Sequence, residues 1–312
     1  MDLIADIGAT HTRSALLDAR GRIACAQTFD NADFAGPDAV LGQFVTSAGG
    51  ARLERGALAI AGPVAGDEVA MLNIDWRLNR DELMRALGLS ELHLLNDFEA
   101  LAHGLPALRA RDSRRIGGGR ALSRATLAVL GPGSGLGVAA AVPHGDGWTA
   151  VAGEGGHVSV AALDETEAAI VAEHGDANGH CSAERLLSGP GLVRIHATLA
   201  RLEGSSGETP TAAEITARAA RGDALASETY AVFFSLLGTV AGNLALTVGA
   251  RGGVFIAGGI VPRVVDALER SDFRERFVAK GRYRAYLDAI ETRVITVAEP
   301  AFIGLRAVLG YA

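Results

Sequence analysis

Asn96 and Asp97 close the apolar run LLNDF (94–98) with two polar groups. Open α/β sheets place their ligands at such strand ends. An aspartate there can accept the proton of a hydroxyl whose oxygen attacks phosphorus. The same pair also suits an Asx turn or a helix cap. GEGGH (153–157) sets Glu154 and His157 three apart in a loop that glycines let bend, and SAE (182–184) puts Glu184 at a helix start. His157 alone would suit a structural role. Taken together, Asn96, Asp97, Glu154, His157 and Glu184 read as a site for a ligand that presents many hydroxyls.

Two glycine turns offer the complementary chemistry. In ADIGATHT (5–12) the residues are small, and a hairpin turn of this kind exposes successive amide N–H groups that can hold phosphate oxygens. Asp6 can hold a Mg²⁺ ion there through water, and Thr10 can donate a hydroxyl. In LGPGSGLG (130–137), Gly131, Gly133, Gly135 and Gly137 fall at every other residue, with Pro132 stiffening the loop. Strand interiors disfavour glycine, so this density needs a reason. Either turn alone suits an ordinary hairpin; two of them suggest a pair of phosphate cradles. Lys280 is the only lysine, and no Walker-type loop exists. Phosphate chemistry must then rest on backbone amides, helix N-termini, arginine and a bound metal.

The elements that carry these residues follow from pattern. LIADIG (3–8), Ser14–Leu17 and Arg22–Gln27 read as a meander of strands, and 37–48 as a helix. ALAIAGPV (57–64) and LHLLNDF (92–98) read as strands, with a helix from Asn79 whose Glu82 suggests a capping box. A second series follows: strand, glycine turn and strand over 126–142, a strand in WTAVAGEGGH (148–157), and helix starts at Asp164 with Glu167 and Thr211 with Glu214. Strands at 252–260 and 293–298 and a terminal helix at 301–312 complete it. The repeated unit predicts a duplicated α/β fold of two domains with a cleft between them. We expect a first domain over 1–107 plus 299–312 and a second over 108–298.

Composition narrows the function further. The chain has 312 residues, 49% of them hydrophobic, and a net charge of −7. Nucleic acid and anionic membrane are poor partners for that charge. The arginines at 109, 111, 114, 115, 120 and 124, around Gly117–Gly119, read as a solvated linker because no aromatic residues interleave to stack on bases. The uncharged run between Glu228 and Arg251 is long enough to span a membrane, but its glycines and Ser235, Thr239, Asn243 and Thr247 favour a buried helix. Two cysteines, Cys25 and Cys181, form neither a disulfide framework nor a zinc site, which fits a reducing compartment. The N-terminus lacks the basic region of a signal peptide.

ADIGATHTR, LLNDF, GPGSGLGVA, GEGGH, SAERLLSGPGLV and NLAL…GGVFIAGGIVPR, in this order, resemble the bacterial ATP-dependent glucokinase family of the actin and hexokinase superfamily. The resemblance covers essentially the whole chain. It implies two ribonuclease-H-like α/β domains closing over sugar and MgATP, in a cytoplasmic homodimer. It implies Asp97 as the base toward the sugar's 6-hydroxyl, with Asn96, Glu154, His157 and Glu184 on its other hydroxyls. Ala5, Asp6, Ile7, Gly8, Ala9 and Thr10 would face the ATP phosphates. Gly133 and Ser134 would form the second phosphate loop, and Gly258 and Gly259 would line the adenosine pocket. Glucose is the expected sugar; mannose, glucosamine or a non-catalytic sensor on the same fold are the alternatives. The chain departs from the family at Ala9, where a second glycine is usual, and at His11, where asparagine is frequent. If residue 9 needed positive φ, alanine there would cost about 1 kcal/mol.

Overall fold

The computed structural model describes residues 1–311 apart from Ala65, Leu72, Asn73 and Ser206. In chain order the strands and helices are β1 (Asp2–Ile7), β2 (His11–Leu17), β3 (Ile23–Asp30), α1 (Pro37–Ser47), β4 (Arg55–Ile60), β5 (Glu68–Ala70), β6 (Arg77–Asn79), α2 (Arg80–Leu87), β7 (Glu91–Asn96) and α3 (Asp97–Gly104). Then come β8 (Ser113–Gly117), β9 (Leu127–Pro132), β10 (Leu136–His144), β11 (Gly147–Gly153), α4 (Glu165–His174), α5 (Ala183–Leu186), α6 (Gly189–Leu202), α7 (Ala212–Ala220) and α8 (Ala224–Val248). The chain ends with β12 (Gly253–Ile256), α9 (Val265–Glu269), α10 (Phe273–Val278), α11 (Arg284–Asp288), β13 (Thr292–Ile295) and α12 (Pro300–Val308). Ala312, the last residue of the expected terminal helix, lies outside the described residues. The chain divides into two compact units, Met1–Arg109 with Trp148–Ala152 and Val297–Ala312, and Ala110–Gly147 with Gly153–Thr296.

The first unit is built on a five-stranded sheet in the order β3-β2-β1-β4-β7. β1, β2 and β3 are antiparallel neighbours, while β4 and β7 run parallel to β1. Side chains alternate between faces with period two. Leu3, Ala5 and Ile7 therefore join the core that also holds Phe44, Trp76 and Leu83. Ile4 joins the opposite core with Leu95, Ala100, Phe302 and Leu305. Asp6 shares its face with Ile4 and lies at the end of β1. α3 and α12 pack closely on this face: a Cβ on Gly304 would lie 1.7 Å from the Ala100 carbonyl oxygen. No side chain fits there, so the glycine sets how near the helix that begins at Asp97 can come.

The second sheet has six strands in the order β11-β10-β9-β12-β13-β8. The first five strands in this order, β11 to β13, repeat the order of the first sheet, with β8 added at the edge. β9 and β10 are antiparallel, β12 runs parallel to both β9 and β13, and β8 runs antiparallel to β13. α8 is long and apolar enough by length and composition to cross a membrane, but 56% of its apolar window is buried. Phe233, Phe234, Leu236 and Leu237 form the core of the unit. Cβ atoms at Gly238 and Gly242 would lie 2.3 and 2.4 Å from the carbonyl oxygens of Phe273 and Phe277. The glycines in this run are thus the seat of α10.

The expected arginine-rich linker is corrected here. Residues 113–117 form β8, and the arginines are engaged: Arg114 pairs with Asp266 and Glu269, and Arg115 with Glu291. The arginines are largely exposed, as expected, but the run reads as a linker because its carboxylate partners lie about 150 positions away. The Asn79 cap also differs from the expected box. Asn79 accepts the Glu82 N–H at 3.1 Å, and no return bond from Glu82 forms among the described residues.

Candidate active site

In the first unit, Gly8, Ala9 and Thr10 turn the chain from β1 into β2, closed by the Gly8 N–H donating to the His11 carbonyl at 3.0 Å. Asn31, almost fully buried, clamps this turn. Its Nδ2 donates to Gly8 O at 2.8 Å, its N–H to Thr10 O at 2.8 Å, and its Oδ1 accepts from Thr12 Oγ1 at 2.8 Å. The N–H groups of Ala9 and Thr10 donate to no acceptor among the described residues. Arg124 is the only described non-glycine residue at positive φ. Ala9 therefore carries no strain, and its departure from the expected glycine is conformationally neutral.

Asp97 is the first residue of α3 and not the end of a strand, which corrects the sequence reading. Asn96 ends β7 and caps the helix, so the cap reading and the chemical reading of this pair hold together. Asn96 gives most of its amide to protein: Oδ1 accepts the N–H groups of Phe98 and Glu99, and one Nδ2 proton goes to Gly62 O at 3.1 Å, which leaves the second proton for a ligand. The Phe98 N–H also donates to Asp97 Oδ1 at 2.9 Å. Burial, and then the Asp6 carboxylate, push the Asp97 carboxyl up to about 7, against the Phe98 N–H and Asn96. Asp6 is itself raised by burial, opposed by Arg13. Arg13 stands between two carboxylates, 3.5 Å from Asp6 and 3.3 Å from Glu299. Among the described residues no three His, Cys, Asp or Glu side chains converge as a metal cage. A desolvated carboxylate that faces a second one fits a hard divalent cation held mostly by water and phosphate oxygens.

In the second unit, Gly133, Ser134 and Gly135 turn β9 into β10, with the Gly133 N–H donating to Gly135 O at 2.8 Å. Glu184, in the first turn of α5, accepts the Leu136 N–H at 2.8 Å. A Cβ on Gly135 would lie 2.4 Å from that carboxylate, so the glycine makes room for Glu184. Gly258 has φ +84°, and a Cβ there would lie 2.3 Å from the Pro132 carbonyl oxygen. A Cβ on Gly133 would come within 3.6 Å of the Gly259 nitrogen, so the two glycine corners adjoin. The N–H groups of Ser134, Gly135, Gly258 and Gly259 donate to no acceptor among the described residues. Adjoining free amides of this kind suit an anion. Glu154 and His157 lie 3.9 Å apart and are both exposed.

The structure thus brings Asp6 to Asp97, Glu154 to His157, and Gly133 to Gly258 and Gly259, each within one unit. The family model for glucokinase matches residues 3–311. The chain belongs to the glucokinase family. It is 46% identical to the glucokinase of Chromobacterium violaceum, over 98% of this chain and 88% of that one. It is 44% identical to the glucokinase of Paramagnetospirillum magneticum, over 99% and 97% of the two chains. A crystal structure of glucokinase from an Antarctic psychrotroph superposes with a TM-score of 0.87 at 33% identity, covering 100% of this chain and 99% of that one. Family membership makes the protein an ATP-dependent hexose kinase. Sequence reasoning missed Asn31, Arg13, Glu299 and Glu99. Only Glu99 left a signal: Asn followed three later by Glu, the pattern read at other helix starts but not at Asn96.

Proposed function

We propose that the protein transfers the γ-phosphoryl group of ATP to the 6-hydroxyl of D-glucose, with Asp97 as general base. The observation that carries this reading is the Asp97 carboxylate, held at one oxygen by the Phe98 N–H and made more basic by burial beside Asp6. A base whose pKa lies near the working pH is available in its charged form and still accepts a proton well. Its second oxygen takes the hydroxyl proton as the O–P bond forms and the bond to ADP breaks.

In this reading, Asn96, Glu154, His157 and Glu184 hold the remaining sugar hydroxyls. The amides of residues 5–10, and those at Gly133 and Ser134, face the phosphates, and Gly258 and Gly259 line the adenosine pocket. Asp6 would hold Mg²⁺ through water, and the ion would supply charge neutralisation on the phosphates. The domains are ribonuclease-H-like, spanning 1–107 with 299–312 and 108–298, in a cytoplasmic homodimer. A coupled assay of ADP release with and without glucose tests the reading, followed by a panel of hexoses. Glucose-dependent release is expected. Equal release without sugar would indicate a phosphohydrolase, and no release a sensor.

A further inference from the structure

The corner between β7 and α3 contains a group to which the reaction has so far given no part. β7 ends at Asn96 and α3 begins at Asp97, with no linking residue. Such a corner must redirect the chain and still satisfy the first N–H groups of the helix. Asn96 Oδ1 accepts from the Phe98 N–H at 2.9 Å and the Glu99 N–H at 3.3 Å. Glu99 returns the contact, its Oε2 accepting the Asn96 N–H at 3.3 Å. The two bonds make a reciprocal capping box around Asp97. The Asn96 bond to Gly62 O, at 3.1 Å, ties the same corner to the chain just beyond β4.

The box matters because of which residue it encloses. Asp97 Oδ1 accepts the same Phe98 N–H that Asn96 accepts. The direction of the carboxylate therefore follows the backbone of 96–99, and Glu99 is the side chain that closes that backbone from the helix side. We infer that Glu99 is a positioning residue for phosphoryl transfer, closing the clasp that aims the Asp97 carboxylate; this rests on the reading of Asp97 as the base. Glu99 acts through Asn96 and Asp97 and needs no contact with sugar or nucleotide. Alignment of a base is steeply rewarded, since a displacement of about 1 Å costs about a hundredfold in rate.

The test compares Glu99→Ala, Glu99→Gln and Asp97→Ala with the parent, as full chains, for kcat, glucose KM and thermal midpoint. Glu99→Ala removes the acceptor for the Asn96 N–H. It is expected to lower kcat by about ten- to a hundredfold and to leave glucose KM within about twofold. Glu99→Gln keeps an acceptor oxygen of the same reach and should retain kcat within about threefold. Should Glu99→Ala not fold, Glu99→Asp takes its place; its shorter side chain cannot span the same gap, and the same loss is expected. Parent-like kcat in Glu99→Ala, or a raised glucose KM with kcat unchanged, overturns the inference. If Asp97→Ala is inactive while Glu99→Ala is parent-like, the inference alone falls. If Asp97→Ala turns over normally, the base assignment falls and takes the inference with it.

Discussion

The β1–β2 and β9–β10 hairpins occupy the same place in two sheets that share a strand order, but they are equipped differently. The first turn follows a strand that carries Asp6, and β7, two strands away beyond β4, leads into Asp97. The second turn follows β9, where the residue two before the turn is Gly131, and its surroundings offer unpaired backbone amides. The fourth strands still match, ending in Ile60-Ala61-Gly62 and Ile256-Ala257-Gly258, with both glycines at positive φ. Even the carboxylate that touches the second hairpin, Glu184, arrives from α5 and is engaged by the Leu136 N–H. One scaffold is thus equipped in two ways: the first unit concentrates carboxylates, and the second offers unpaired backbone amides.

That contrast breaks most visibly at Asp97. Asp97→Ala should lower kcat by at least about a thousandfold while calorimetry still detects glucose binding. Near-normal turnover would remove the first unit's special role. In the second unit, Gly258→Ala forces a side chain onto the Pro132 carbonyl at a backbone angle that disfavours it. Strain of about 1–3 kcal/mol should shift the glycine corner and raise the ATP KM by about tenfold, with glucose KM little changed. An unchanged ATP KM would take the corner out of the nucleotide site. Glu154→Gln should raise glucose KM about tenfold, the loss expected for a charged hydrogen bond. An unchanged glucose KM would remove Glu154 from the sugar site.

The smallest effect is on stability. Asp97 has a folded pKa near 7, raised above the ordinary value of 3.8, so its ionisation opposes folding and the loss grows as pH rises from about 4 through 7. Asp97→Asn should therefore be more stable than the parent at pH 8, by on the order of 1–3 kcal/mol, and by only about 40% of that amount at pH 5. Denaturant unfolding at the two pH values checks this. Equal stability at both would show that the carboxylate is not desolvated.

Much of this is legible in the sequence. The apolar strands, the glycine turns and the helix starts at Asp164 and Thr211 are local patterns, and they formed where propensity and capping chemistry placed them. Long-range features were not legible. β8 reads as a linker because its partners Asp266, Glu269 and Glu291 are distant in sequence. Asn31 is silent because a buried clamp for a turn more than twenty residues away has no sequence motif. The role of Gly135 depends on where Glu184 arrives, which is a packing outcome. Asp97 illustrates both cases: its chemistry and the cap beside it are readable as alternatives, and its burial beside Asp6 is not.

The central claim is that a carboxylate ionising near neutral pH accepts the sugar's proton. Its most direct test is kcat/KM for glucose against pH from 5 to 9, which reports the enzyme before the sugar binds. The account predicts a plateau above an inflection near 7, with a decline of about tenfold per pH unit below it. A profile that stays flat down to pH 5 would contradict it.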